Sequence, residues 1–203
     1  MTKKEHWENV FSTKKETEVS WYQVNPKTSI DFVIKTKIAK NAKIIDIGGG
    51  DSYLIDSLLE LGFTNLYLLD ISATAIERIK KRLGEKATNV NFIVSDVLDF
   101  KPDMTFDFWH DRASFHFLID KNQIDKYAEL VASAVAKNGN LVLGTFSENG
   151  PKKCSGLDIK QYNEASLNIV FNSNFDLIES ITEDHITPFE TVQNFLFCNF
   201  RKR

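Results

Sequence analysis

The run Asp46-Ile47-Gly48-Gly49-Gly50-Asp51-Ser52 carries the first pattern in the chain that could do chemistry. It follows the apolar stretch Lys43 to Ile47, which reads as a strand, and precedes an amphipathic stretch that reads as a helix. Glycines at a strand-to-helix turn let a ligand approach the backbone, because a Cβ would occupy that space. About 20 residues further on, Asp70 closes a second apolar run, where a carboxylate can accept both hydroxyls of a ribose. Asp96 closes a third run, where a side chain can take the exocyclic amine of an adenine. A glycine turn alone could be structural, and Asp70 alone could cap a helix. Three successive strands ending in such turns point together to an adenosine-containing cofactor.

The residues after the glycines bear on which cofactor. Dinucleotide sites need a third glycine where this chain has Tyr53, and they seat a pyrophosphate at the helix N-terminus. Asp51 stands at that terminus and would repel phosphates, whereas a cationic sulfonium meets no such penalty. This favours S-adenosylmethionine over a nicotinamide cofactor.

The elements that must position these residues alternate strand and helix, the pattern of a mostly parallel sheet covered by helices. Asp51 or Ser52 could cap a helix carrying Leu54, Ile55, Leu58 and Leu59, ended by Gly62. Leu66 to Leu69 is the second strand, and Ser72 is expected to cap a helix with Ile76, Ile79 and Leu83 on one stripe. Val90 to Val94 is the third strand, and Phe106 to Trp109 is the fourth, running into His110-Asp111-Arg112. A helix is expected from about Lys121 to Lys137, with Val131 and Val135 facing the core and Asn138-Gly139 ending it. Asn140 to Phe146 is a fifth strand and Ser147 to Gly156 an exposed loop. After a helix near Glu164 to Phe171, strands around Phe175 to Ser180 and Val192 to Phe200 form an antiparallel hairpin. Ahead of the sheet lie a helix from Lys3 to Val10, the aromatic loop Val19 to Gln23, and a helix opened by Pro26.

Over nearly its whole length the chain resembles the class I S-adenosylmethionine-dependent methyltransferases. Ile44 to Ser52 matches the first motif of that family, Asp70 its acidic ribose position, and Ser95-Asp96-Val97 its adenine-side motif. Gly49 departs from it, since many members have cysteine or alanine there. His6-Trp7, Val19 to Gln23 and Trp109 to Phe117 resemble a small bacterial subgroup, and similar openings occur in some protein-lysine methyltransferases. The resemblance implies a single domain over residues 1–203: a helical lid segment, 1–40, and a Rossmann-like core, 41–203. The core would hold a seven-stranded mostly parallel sheet, an antiparallel C-terminal hairpin and helices on both faces. It further implies that Asp46, Gly48, Gly49 and Gly50 line the methionine portion, with Asp46 toward its amino group. Asp70 and Ile71 would hold the ribose, and Asp96 and Val97 the adenine. His110 and Asp111 would border the methyl group.

Methyl transfer is an in-line displacement on an activated sulfonium, so alignment and exclusion of water matter most. A base is needed only for a protonated nucleophile, and Asp111, His116 and His185 are the candidates. Each has a plainer reading: Asp111 could pair with Arg112, His116 could be a core histidine, and His185 could belong to a loop. Trp21 and Tyr22 could close over a sulfonium with their aromatic faces, or simply pack the N-terminal segment. No tight ligand spacing suggests a metal, and no Asn-Pro-Pro-Tyr type tetrad suggests methylation of a DNA base.

A net charge of −3 gives no general attraction to nucleic acid. No apolar run approaches the roughly 20 residues of a membrane helix, and Met1 to Asn9 lacks a secretory core. Cys154 and Cys198 suit a reducing compartment, so a cytoplasmic protein is expected. The acceptor is expected to be a small molecule, with a protein lysine as the alternative. A nicotinamide-dependent oxidoreductase and a cofactor-binding module without turnover are further readings on the same sheet.

Overall fold

The apolar runs of the sequence become the strands of one sheet in the computed structural model, which describes residues 1–203. The chain runs α1 (Lys3–Thr13), α2 (Lys27–Lys35), β1 (Ile44–Ile47), α3 (Leu54–Glu60), β2 (Leu66–Asp70), α4 (Ala73–Leu83), β3 (Val90–Val94) and β4 (Phe106–Arg112). It continues with α5 (Lys121–Ala134), β5 (Val135–Phe146), β6 (Lys153–Cys154), β7 (Leu157–Asp158), α6 (Glu164–Phe171), β8 (Phe175–Ile186) and β9 (Val192–Lys202). The seven-stranded sheet has the order β3-β2-β1-β4-β5-β9-β8. The first five of these are parallel, and β9 is antiparallel to both β5 and β8. The last strand is therefore inserted between the fifth and its own hairpin partner.

β1 is buried throughout, as a central parallel strand with both faces covered must be. Phe32 and Val33 of α2, Leu54, Ile55 and Leu58 of α3, and Ile76 and Ile79 of α4 pack against Ile44, Leu66, Leu68 and Phe108. On the opposite face, Ile124, Tyr127 and Val131 of α5 and Leu167 and Phe171 of α6 pack against Ile45, Ile47, Trp109 and Leu141. Helices thus cover both faces, as expected. No helix is long and apolar enough to cross a membrane.

Local signals explain most boundaries. Ser72 accepts a hydrogen bond from the Ala75 amide and caps α4, and Gly84 ends that helix at a φ of 57°. Four expectations need correction. α3 begins after Tyr53 with no side-chain cap, so neither Asp51 nor Ser52 caps it. α5 stops at Ala134, and Val135 already pairs with Phe106 as the first residue of β5. Asn138, at a φ of 63°, sits within that strand, where the β4–β5 register shifts, rather than ending a helix. Finally, the loop after Ser147 contains the small hairpin of β6 and β7.

Candidate active site

The turn after β1 shows why it is built of glycine. Gly48 and Gly50 have φ of 61° and 51°, conformations that a side chain disfavours. A Cβ on Gly48 would stand 2.7 Å from the Ser114 Cβ, and one on Gly49 would stand 2.6 Å from a carboxylate oxygen of Asp46. One on Gly50 would stand 2.9 Å from the Phe11 ring. The glycines are thus required by the protein's own packing and not only by the approach of a ligand.

Asp46 is the centre of a buried polar chain. Its Oδ1 lies 2.7 Å from His110 Nδ1, and His110 Nε2 lies 2.8 Å from the Ser29 hydroxyl. A carboxylate only accepts, so the Nδ1–H donates to Asp46, and in the neutral ring Nε2 accepts from Ser29. Both ring nitrogens are engaged, and His110 therefore orients Asp46. The register of β1 and β4 sets Asp46 beside His110, while Ser29 comes from α2. The other oxygen of Asp46, Oδ2, is buried with no partner although Asp46 lines the cavity. A buried carboxylate oxygen in that state is a site waiting for a donor.

At the end of β2, Asp70 accepts the amides of Gly50, at 2.9 Å, and Ser72, at 2.8 Å. Burial pushes its carboxyl up to about 7 against those two hydrogen bonds, with Asp46 and Asp51 adding to the rise. Each oxygen keeps a lone pair for a further donor. Asp96 accepts the Leu98 amide at 2.9 Å in a 3-10 turn. Asp51 is buried and ion-paired with Arg78 at 3.3 Å, which offsets its charge, so its repulsion of phosphate is weaker than the sequence suggests.

The N-terminal segment roofs these strand ends. Glu8 accepts from the amides of Ala73, at 2.7 Å, and Thr74, at 3.2 Å, and from the Ser72 hydroxyl, at 3.0 Å, fastening α1 to the start of α4. Arg78 donates to the carbonyls of Phe11 and Lys14. Trp7 packs edge-on against Trp21 at 5.7 Å and Phe117 at 5.2 Å between ring centroids. Tyr53 donates to Glu16 at 3.0 Å, and Arg82 lies over the Tyr53 ring.

One cavity lies between this roof and the strand ends, and it gathers every residue expected to hold the cofactor. Trp21, Tyr22, Asp46, Gly48, Gly49 and Gly50 line it, as do Asp70, Ile71, Asp96, Val97 and His110. Phe11, Glu16, Gln23, Ser29 and Arg112, which no motif in the sequence marked as cofactor contacts, line it too. For Arg112 a signal existed: continuing the two-residue alternation of β4 past Trp109 sets His110 and Arg112 on one face.

The three candidate bases do not line this cavity. Asp111 lies within β4, not past its end, and its side chain takes the face opposite His110. There it accepts from the Tyr127 hydroxyl at 2.6 Å and from the amides of Ser114 and Phe115 at 2.9 and 3.0 Å. Burial raises its carboxyl to about 6 against these bonds. It forms no pair with Arg112, because adjacent strand residues point to opposite faces. His116 is fully buried against Phe146 and Phe117, and burial, helped by Arg112, lowers it to about 3. His185 is buried, with Nε2 2.7 Å from the Ser20 carbonyl and Nδ1 near Gln23.

Comparison with known proteins settles the family. Residues 38–188 match the model of a methyltransferase domain. The chain belongs to that methyltransferase family. It is 26% identical over 122 residues to the mouse eEF1A lysine and N-terminal methyltransferase, covering 60% of this chain and 16% of that protein. It is 27% identical over 169 residues to malonyl-[acyl-carrier protein] O-methyltransferase 1 of Ilyobacter polytropus, covering 77% of this chain and 61% of that protein. The chain thus spans under two thirds of the length of both relatives. Its fold is similar to that of the N-methyltransferase NodS from Bradyrhizobium japonicum, solved with S-adenosylhomocysteine. The TM-score is 0.72 at 15% identity, over 96% of this chain and 97% of that one.

The residues of this methyltransferase domain fit the donor. Asp46 Oδ2 is a buried acceptor on the cavity wall, as an ammonium requires. Asp46, Asp51, Asp70, Asp96 and Glu16 make the lining acidic, which suits a cationic sulfonium. Trp21 and Tyr22 add aromatic faces. S-adenosylmethionine is the methyl donor of this class, and S-adenosylhomocysteine its product.

Proposed function

We propose that this domain methylates a small molecule, with S-adenosylmethionine held as the cofactor positions above describe. In that reading Asp46 binds the amino group of the donor, Asp70 and Ile71 its ribose, and Asp96 and Val97 its adenine. The bound donor supplies an electrophilic methyl group on sulfur. The chain's own residues orient the two reactants and keep water out. His110 and Ser29 hold Asp46 in place, while Trp21 and Tyr22 cover the site. No general base touches the cavity at Asp111, His116 or His185, which suits an acceptor whose lone pair is already free.

The observation that carries the small-molecule reading is the roof. Trp7, Phe11, Trp21 and Phe117 form a packed aromatic layer over the strand ends, fastened through Glu8 and Arg78. A protein surface would have to displace that layer to present a side chain, whereas a small molecule can be enclosed beneath it. The alternative, a protein lysine, draws on the mouse relative named for eEF1A lysine and N-terminal methylation. Donor carrying a labelled methyl group, incubated with the protein and a cell extract, separates the two. The label is expected in the small-molecule fraction. Label concentrated in one protein band would reject the proposal in favour of the alternative.

A further inference from the structure

The site is laid out in order across the sheet. Asp96 follows β3, Asp70 ends β2, the glycine turn follows β1, and Arg112 ends β4. With the adenosine over β3 and β2 and the methionine end over β1, β4 is the strand left to border the acceptor. The side chain that β4 presents there is Arg112, on the same face as His110. Its Nη1 donates to the Trp21 carbonyl at 3.1 Å, and the guanidinium lies over the Phe195 ring at 4.5 Å.

The rest of the guanidinium makes no hydrogen bond within the chain. Nε and Nη2 are buried without a hydrogen-bond partner, although the residue lines the cavity. Glu183, whose Oε2 is likewise buried without a partner, balances its charge through space, as do Cys154 and Asp46, and burial lowers it to about 10, so it remains a cation at neutral pH. Nε and Nη2 form one edge of the planar group, the two-donor fork that matches the two oxygens of a carboxylate. A phosphate ester carries close to a second negative charge, which a single guanidinium does not balance.

We propose that the acceptor is a small carboxylic acid whose carboxylate is gripped by the Nε–Nη2 edge of Arg112. Arg112 is then the residue that selects and orients the acceptor, leaving the methyl-accepting atom on the β1 side of that grip. This rests on the small-molecule methyltransferase reading above.

The test uses the full chain saturated with S-adenosylhomocysteine and followed by thermal shift. Benzoate and 3-phenylpropionate are each compared with their neutral amides, and inorganic phosphate serves as the other oxyanion. The acids are expected to stabilise the complex more than the amides. Arg112→Gln should abolish that difference, and Arg112→Lys, which keeps the charge but loses the fork, should shrink it by about tenfold in apparent affinity. Acids no better than amides, or a difference that survives Arg112→Gln, would overturn the proposal. So would an Arg112-dependent preference for phosphate. A fall in S-adenosylhomocysteine affinity in Arg112→Lys as large as the fall for the acids would place Arg112 on the cofactor's own carboxylate instead. Failure of the wild type to bind S-adenosylhomocysteine would reject the cofactor reading and is seen before any acid is added.

Discussion

Replacing Glu8 by alanine should loosen the roof and weaken cofactor binding without touching the cofactor. Glu8 lies on α1, and its carboxylate accepts two amides and one hydroxyl at the first turn of α4, at 2.7 to 3.2 Å. Removing a side chain that caps helix amides in this way costs about 1 kcal/mol, within a range of roughly 0.5–2. Glu8 is partly exposed, so the low end applies as readily as the middle. If closure of the roof contributes to binding, about 1 kcal/mol corresponds to roughly a fivefold rise in the Kd of S-adenosylhomocysteine. Isothermal titration measures the Kd, and hydrogen exchange over residues 3–13 reports the docking of α1. Faster exchange in α1 with an unchanged Kd would refute the claim that the roof encloses the cofactor. The pH dependence has a defined sign. Burial pushes the Glu8 carboxyl up, but its hydrogen bonds to Thr74, Ala73 and Ser72 outweigh this and leave it below the usual range. A depressed acid stabilises the docked state above its unfolded pKa, and that contribution is lost as pH falls through the folded value. After correction for the intrinsic rate, the protection of α1 should therefore fall in acid in the wild type and not in Glu8→Ala.

Further outcomes follow from other buried groups. Asp70, raised to about 7 by burial, binds ribose hydroxyls better when ionised, so S-adenosylhomocysteine affinity should improve from pH 6 to 8. Asp70→Asn should flatten that profile in the same titration. In the free protein the sign reverses: a raised acid adds stability that is full below its unfolded pKa, near 3.8, and lost as pH rises through about 7. Tyr127→Phe leaves one oxygen of Asp111 unpaired and should cost about 1–3 kcal/mol, seen in thermal melts, with turnover largely kept at low temperature. Lost turnover at unchanged stability would return Asp111 to the chemistry. His116, lowered to about 3 by burial, contributes stability that is full above about pH 6.5 and lost as pH falls toward 3. His116→Phe should reduce that acid sensitivity and preserve turnover; an inactive but stable variant would make His116 the base after all.

The sequence made the cofactor half of the site legible because its residues sit next to strong local signals. Asp46 lies within β1 just before the glycine turn, Asp70 ends β2 and Asp96 follows β3, and Ser72 and Gly84 bracket α4 with a cap and a left-handed stop. The terminal hairpin was legible from its short connection. Val135 was misread because its spacing continues the α5 stripe, and Asn138-Gly139 resembles a helix end although it lies at an irregularity in β5. The chemistry around β4 was obscured by where the strand was expected to stop. Ending it at Trp109 frees Asp111 to enter the crevice, whereas the strand continues to Arg112 and alternation buries Asp111 against Tyr127. Glu8 and Ser29 act only through contacts 64 and 81 residues away in sequence, which no local pattern encodes.

Asp46 holds the central place in the site, and its buried Oδ2 has no partner within the chain. Titration of S-adenosylhomocysteine into the wild type and Asp46→Ala tests it most directly. One molecule should bind per chain, and the variant should bind at least about tenfold more weakly, as loss of a charge-assisted hydrogen bond requires. Equal affinity in the two proteins would contradict the assignment of this cavity to the methyl donor.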